Sequence, residues 1–149
     1  MHSFTLAGST GSLTVETVEV YGFPHQTSPF GGYDTRSRLR LRSHGFAVDA
    51  VVWLSTGEVH AFYQQLRTAH AQLSGLARFA SSEENLCFTL AYEANGHVRL
   101  TGEYWEFKEE SNRLQFEIAS DQSYLHRTLA ELAQWVEHYG DDAGQRNRA

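Results

Sequence analysis

Hydrophobic and polar residues alternate along most of this chain, with the two-residue period of half-buried strands. The pattern predicts a short N-terminal strand and further strands at residues 13–21, 36–43, 46–54, 86–92, 97–107 and 114–118. Turn residues separate them: Gly-rich residues 8–12, His44-Gly45, Asn95-Gly96 and residues 108–112. Residues 46–54 are apolar on both faces except at Asp49, which indicates a central strand.

Two segments change to the 3.6-residue period of an amphipathic helix. The first is expected at about residues 56–77, because Ser55 and Glu58 match a capping box. Its apolar stripe consists of Val59, Phe62, Leu66, Ala69, Leu73 and Leu76. The second is expected at about residues 121–139, with Asp121 or the residue before it as the N-cap.

The order strands, helix, strands, helix, with hairpin connections, predicts an α+β fold. We expect an antiparallel sheet or sandwich of about seven or eight strands with the two amphipathic helices. The 149 residues fit a single domain at residues 1–140, followed by a flexible polar tail at residues 141–149. Residues 22–34 contain both prolines and three aromatic residues, which is typical of a long ordered loop.

The charge pattern narrows the class of partner. The net charge is −6, and residues 83–142 alone carry thirteen acidic and four basic groups, a net −9. We therefore expect no binding to nucleic acid and none to an anionic membrane. Cys87 is the only cysteine, and no basic-then-apolar leader or membrane-length apolar run occurs. A cytoplasmic location is the default expectation.

Catalytic and metal-binding patterns are absent from the sequence. The eight histidines are scattered, and His60 and His70 would lie about three turns apart on the first helix. Cys87 has no base beside it in the sequence and is expected to be a packing residue. We therefore expect neither an enzyme nor a cofactor.

Four arginines form the most distinctive local pattern. Arg36, Arg38, Arg40 and Arg42 alternate with smaller or apolar residues, so a strand here places all four on one face. Like charges at this spacing repel one another and need acidic partners or counterions. One interpretation is an internal ladder in which Arg38 or Arg40 pairs with Glu103 or Glu106. The other is a binding surface for an acidic or phosphate-bearing partner.

An acidic cluster offers a second candidate surface. Glu103, Glu106, Glu109 and Glu110 surround Trp105 in the region of highest negative charge. In this version the glutamates are rim charges and Trp105 is the anchor, and the partner is a basic, nuclease-like protein. Charge reversal on the arginines distinguishes the two versions.

Several segments together resemble the WapI-like immunity protein family. They are Tyr21-Gly22-Phe23-Pro24, Leu54-Ser55-Thr56-Gly57-Glu58, Glu84-Asn85-Leu86 and the segment of residues 116–125 that leads into the last helix. The resemblance spans roughly residues 18–138. It implies a small bacterial cytoplasmic α+β domain without enzymatic activity that binds and neutralises a toxin domain.

Two alternatives to a toxin-binding protein remain open. The first is a small-molecule-binding protein of unknown ligand, with a pocket between helices and sheet lined by Tyr63, Tyr92 and Trp135. The second is an uncharacterised domain with no enzymatic activity. A homodimer is possible in either case.

Overall fold

The computed structural model of the protein describes residues 2–146. The strands are β1 (Ser3–Ala7), β2 (Gly11–Val20), β3 (Asp34–Ser43), β4 (Phe46–Ser55), β5 (Leu76–Ala80), β6 (Leu86–Tyr92), β7 (His97–Trp105) and β8 (Arg113–Asp121). The helices are α1 (Thr56–Gln72) and α2 (Gln122–Tyr139). The expected α+β class is confirmed.

The strands form two antiparallel sheets of four strands each. Sheet A has the order β1-β2-β3-β4, and sheet B has the order β5-β6-β7-β8. Each sheet is a meander, because every strand pairs with the one that follows it in the chain. The inward side chains of both sheets and the apolar stripes of both helices meet in one core. Leu39, Phe62, Phe88, Ile118 and Trp135 lie within this core.

Helix α1 begins where the sequence indicates but ends earlier. The capping box is confirmed: Ser55 Oγ accepts the Glu58 N–H, and the Glu58 carboxylate accepts the Ser55 N–H. The expected end at residue 77 is wrong, because Leu73 adopts a left-handed φ of 51° and ends the helix after Gln72. The chain then enters β5, which the periodicity missed.

Helix α2 matches its predicted bounds to within one residue. Asp121 is its N-cap and accepts the Ser123 N–H at 2.8 Å. Gly140, with φ of 86°, is the C-cap. The helix covers β1 and lies beside α1.

The expected central position of β4 is wrong: it is the edge strand of sheet A and pairs only with β3. The apolar residues on its two faces have different surroundings. Val52 and Leu54 point into the core, whereas Val51 and Trp53 are on the outer face, 51% and 43% exposed. The apolar residues on both faces of β4 therefore do not mean that both faces are buried. One face packs on the core, and the other is an exposed apolar surface at the edge of the sheet.

The loop at residues 22–34 is anchored by aromatic contacts. Phe23 packs edge-to-face against Tyr33 and Tyr139, with ring centroids 5.1 and 5.3 Å apart. Residues 141–146 lie against this loop, and the Arg146 guanidinium stands 5.2 Å from the Phe23 ring centroid. The remaining residues of the expected flexible tail, 147–149, lie outside the described residues.

Candidate functional site

The four arginines lie together on the outer face of β3, the third strand of sheet A. Their neighbours Leu39 and Leu41 are fully buried in the core, so the arginine side chains are directed away from it. Across the sheet, Arg36 pairs in register with Trp53 of β4, and Arg40 pairs with Asp49. We call this outer surface of β2, β3 and β4 the arginine face.

Arg36 is neutralised from β2. Its Nη2 atom donates to Glu19 Oε1 at 2.9 Å. Hydrogen bonding from the Tyr21 hydroxyl and from Arg36 holds the pKa of Glu19 below its ordinary value. The Tyr21 ring stacks on Trp53 with centroids 5.9 Å apart, so the charged pair borders an exposed aromatic pair.

Arg38 is neutralised from β4. Its guanidinium holds Asp49 bidentately, with Nε–Oδ1 at 2.9 Å and Nη2–Oδ2 at 2.6 Å. This hydrogen bonding lowers the pKa of the Asp49 carboxyl. The internal partners of the stripe are therefore acids of adjacent strands of its own sheet. The expectation that Arg38 or Arg40 pairs with Glu103 or Glu106 is wrong.

Arg40 and Arg42 remain exposed, and neither has an acidic side chain within ion-pair distance among residues 2–146. In register, Arg42 lies between Ser12 of β2 and Ala47 of β4, which are small and uncharged. Two of the four arginines are thus ion-paired within the fold, and the other two make no ion pair among residues 2–146, although Arg40 lies opposite the Asp49 carboxylate. The guanidinium groups of Arg40 and Arg42 can donate bidentate hydrogen bonds to carboxylates of a partner.

The acidic cluster is organised differently. Trp105 Nε1 donates to the Glu110 carbonyl oxygen at 2.8 Å, and Lys108 and Arg113 stand 5.8 and 5.6 Å from its ring centroid. Arg113 also approaches Glu103 at 3.8 Å. Trp105, the last residue of β7, is therefore half-buried against the β7–β8 loop and does not project as an anchor.

The other glutamates of this cluster, Glu106, Glu109 and Glu110, are exposed on the β7–β8 loop. Glu106 also borders a groove of about 490 Å³ that runs along the free side of β4. Val51 and Trp53 form one wall, and Glu83, Glu106 and Phe107 lie on the other. The two charged surfaces proposed from the sequence are thus separated by the edge of β4.

The pocket expected between helices and sheet does not unite its three aromatic residues. Tyr63 lines an open groove between α1 and α2, whereas Trp135 is fully buried and packs edge-to-face on Phe4. The Tyr92 hydroxyl and His70 Nδ1 are 2.7 Å apart, and burial lowers the pKa of His70. These side chains serve packing in three different places.

The described residues show neither a grouped set of metal ligands nor an activated thiol. Within residues 2–146, no three His, Cys, Asp or Glu side chains are grouped to hold a metal ion. Cys87 is half-buried, and burial raises the pKa of its thiol, which disfavours the reactive thiolate. No helix of the described chain has both the length and the apolar character needed to cross a membrane.

Comparison with known proteins gives one finding. The model of the Immunity protein WapI-like family matches residues 5–140, which is most of the chain and includes both helices and all strands except the first two residues of β1. No curated protein and no solved structure matches the chain.

Proposed function

We propose that this chain, which belongs to the WapI-like immunity protein family, neutralises a bacterial toxin by binding it without catalysis. The contact surface in this proposal is the arginine face. The observation that carries it is the pair Arg40 and Arg42, which makes no ion pair among residues 2–146. The protein would act in the cytoplasm, where it meets the toxin domain.

The composition of the arginine face supports a protein partner. Arginine and large aromatic residues are the types that contribute most to protein–protein interfaces, and here Tyr21 and Trp53 are exposed beside the arginines. The bidentate Arg38–Asp49 pair holds the centre of the face in a fixed geometry. A rigid surface loses little conformational freedom on binding.

The acidic loop is the weaker candidate for the contact. Trp105, the anchor expected from the sequence, is already engaged by Lys108, Arg113 and the Glu110 carbonyl group, and the exposed aromatic residue of the loop is Phe107. Its remaining acids, Glu106, Glu109 and Glu110, are solvated and lie on a loop. Exposed charges of this kind affect the association rate more than the affinity.

The proposal is tested in two steps. Affinity capture from the source bacterium, followed by mass spectrometry, identifies a protein retained in stoichiometric amount. Its toxic domain is then expressed in a susceptible host with or without this chain, and growth is measured. We expect growth to be restored by the wild-type chain and by Arg67→Glu/Arg78→Glu, which changes charge away from the arginine face.

The Arg40→Glu/Arg42→Glu variant should fail to restore growth although it folds, as shown by an unchanged circular dichroism spectrum and melting temperature. If the two double variants protect equally well, the arginine face is not the contact surface. If the wild-type chain gives no protection against any stoichiometrically retained protein, the immunity function itself is contradicted.

A further inference from the structure

Helix α2 covers the outer edge of sheet A at β1. Glu131 Oε1 accepts the Thr5 N–H at 3.0 Å, and Thr128 Oγ1 donates to the Thr5 carbonyl oxygen at 2.6 Å. Side chains of α2 thus form hydrogen bonds with the Thr5 N–H and C=O groups, which would otherwise be free to pair with a neighbouring strand. An edge covered in this way cannot pair with another chain.

Both edges of sheet B are also covered, because other parts of the fold form hydrogen bonds with their main-chain groups. At β5, the Gln65 side-chain amide accepts the Arg78 N–H at 3.0 Å and donates to the Arg78 carbonyl oxygen at 3.3 Å. At β8, Ala119 donates to Thr10 Oγ1 at 2.9 Å, and its carbonyl oxygen accepts the Ser9 N–H at 2.8 Å. Three of the four sheet edges therefore have main-chain hydrogen bonds to other parts of the fold.

The fourth edge, β4, is open. A two-residue turn joins Ser43 to Phe46, which makes these two residues a hydrogen-bonded pair. From this pair onwards, hydrogen-bonded and non-hydrogen-bonded residue pairs alternate along β3 and β4. The odd-numbered residues 47–53 of β4 therefore direct their N–H and C=O groups away from β3. Among residues 2–146, these groups of Ala47, Asp49, Val51 and Trp53 have no hydrogen-bond partner.

Nothing in β4 protects this edge against pairing. Edge strands commonly carry lysine, proline or a bulge, or are very short. β4 has ten residues, contains neither proline nor lysine, and pairs with β3 in continuous register. Its only charge, Asp49, is already held by Arg38.

We propose that β4 is where the partner binds, by adding one extended segment of the toxin to sheet A as a fifth strand. This inference rests on the proposed function for the nature of the partner. In this segment, the side chains on the same face of the sheet as the arginines are acidic, and the alternate side chains on the opposite face are apolar. Strand addition satisfies the free N–H and C=O groups of β4, and side chains of alternating positions supply specificity.

Charge complementarity determines the acidic side of the segment. Residues on the outer side of the added strand lie beside Ala47, Asp49 and Val51. Ala47 is small, so the Arg42 guanidinium in the same cross-strand row is free to extend over it towards a carboxylate on the added strand. The residue in the row of Arg40 is Asp49, which is committed to Arg38 and would repel a carboxylate beside it, so Arg40 is reached by a carboxylate from the next row, beside Ala47 or Val51.

The apolar side of the segment follows from the groove beside β4. Phe107, which is 50% exposed, lies across the groove from Val51 and Trp53. Apolar side chains on the inner side of the added strand would bury Phe107, whereas acidic ones would be repelled by Glu83 and Glu106. The favoured segment therefore alternates acidic and apolar residues.

A second copy of this chain is a poorer occupant. Its β4 would present the same residues again, with one acid, Asp49, that is already paired. Self-pairing would bring a second arginine stripe into one continuous sheet and no carboxylate for Arg40 or Arg42. An acidic partner strand supplies carboxylates for Arg40 and Arg42, and a homodimer does not.

The test uses a synthetic peptide, acetyl-Glu-Val-Glu-Val-Glu-Val-Glu-Val-amide, titrated into the ¹⁵N-labelled full chain and followed by NMR. We expect chemical-shift changes and slower amide exchange at Ala47, Asp49, Val51 and Trp53, and no such changes with the lysine–valine counterpart. Val51→Pro removes an outward N–H and leaves the β3-facing hydrogen bonds intact. It should weaken peptide binding by about tenfold or more.

Val51→Thr is the matched control, because it changes the same side chain but keeps the N–H, and it should bind the peptide as the wild-type chain does. The inference is overturned if the β4 amides do not respond at millimolar peptide. It is also overturned if Val51→Pro binds as well as Val51→Thr. A wild-type dimer by light scattering that Val51→Pro converts to a monomer would identify a second copy as the occupant instead.

Failure of the strand-addition inference can be distinguished from failure of the proposed immunity function. If growth protection depends on Arg40 and Arg42 but survives Val51→Pro, the arginine face binds the toxin without strand addition. If the peptide result is positive and no toxin is neutralised, the edge binds acidic strands but the immunity function is contradicted.

Discussion

Replacing Glu58 by glutamine should make the stability of the protein less sensitive to pH. The Glu58 carboxyl group lies half-buried at the start of α1, where it accepts the Ser55 N–H at 2.6 Å. Burial raises its pKa to about 7, and this outweighs the opposing effect of the Ser55 hydrogen bonds. Glutamine keeps an acceptor for the Ser55 N–H but carries no charge.

The sign and size follow from proton linkage. The folded state holds the proton more tightly than the unfolded state, so the contribution of Glu58 to stability is fully present below its ordinary pKa of 4.5 and is lost as the pH rises through about 7. A shift of this size corresponds to about 3 kcal/mol in the limit of full burial. Since Glu58 remains partly solvated, we expect about 1–2 kcal/mol.

Urea unfolding of both proteins at about pH 5, 6, 7 and 8 measures the effect. The difference in free energy of unfolding, Glu58→Gln minus wild type, should grow by about 1–2 kcal/mol between the lowest and the highest pH. Groups common to both proteins cancel in this difference. A constant difference would refute the reasoning, because it means that the helix N-terminus cancels the effect of burial on the Glu58 pKa; a variant that becomes relatively less stable as the pH rises would refute it too, because it means that the helix N-terminus outweighs burial.

Two further substitutions and one titration test the fold away from the arginine face. Gly102→Ala should cost about 1–3 kcal/mol in urea unfolding, because the new methyl group would collide with the Cys87 carbonyl oxygen. Gln65→Ala should cost about 1 kcal/mol and speed hydrogen exchange at the Arg78 amide, because it uncovers the β5 edge. The ring of His70 should titrate below pH 6.5 in an NMR pH series, because burial disfavours its charged form; its contribution to stability is therefore lost as the pH falls.

Each of these predictions has its own control. Gly45→Ala has no atom within 4 Å of the new methyl group and should be nearly neutral; equal losses for the two glycines would contradict the packing argument. Gln72→Ala, an exposed change on the same helix, should leave Arg78 exchange unchanged. A His70 midpoint above 6.5 would show that hydrogen bonding to the charged ring outweighs burial.

Local signals in the sequence were sufficient for most elements of the fold. The capping box at Ser55 and the N-cap at Asp121 each depend on side chains within a few residues, and both form as expected. A turn also forms at Asn95-Gly96, but β6 and β7 are joined by four residues that include a 3-10 turn at Ala94–Gly96 and not by the two-residue hairpin loop that Asn-Gly favours. The end of α1 was missed because the helical period continues to Leu76. A left-handed residue at Leu73 gives no warning in the sequence, since leucine rarely adopts that conformation.

The geometry of the candidate site was predictable in part. The position of the four arginines on one face follows from alternation alone. Asp49 could also have been predicted as the partner of an arginine. The two-residue turn at His44-Gly45 sets the register of β3 and β4, and this register places Asp49 opposite Arg40 and diagonal to Arg38. The open edge of β4 could not be predicted, because strand order depends on which helix covers which edge, and that is a property of the whole fold.

The most direct test of the account is the dissociation constant of the captured toxin domain, measured by titration calorimetry against two charge-matched variants. Arg40→Glu/Arg42→Glu should weaken binding by about 100-fold or more, because it replaces the two arginines that make no ion pair among residues 2–146 with acids facing an acidic partner. Arg67→Glu/Arg78→Glu should change it by no more than about threefold, the effect of long-range charge alone. Equal losses for the two variants, or a larger loss for the second, would contradict the central claim that the arginine face is where this protein binds its partner.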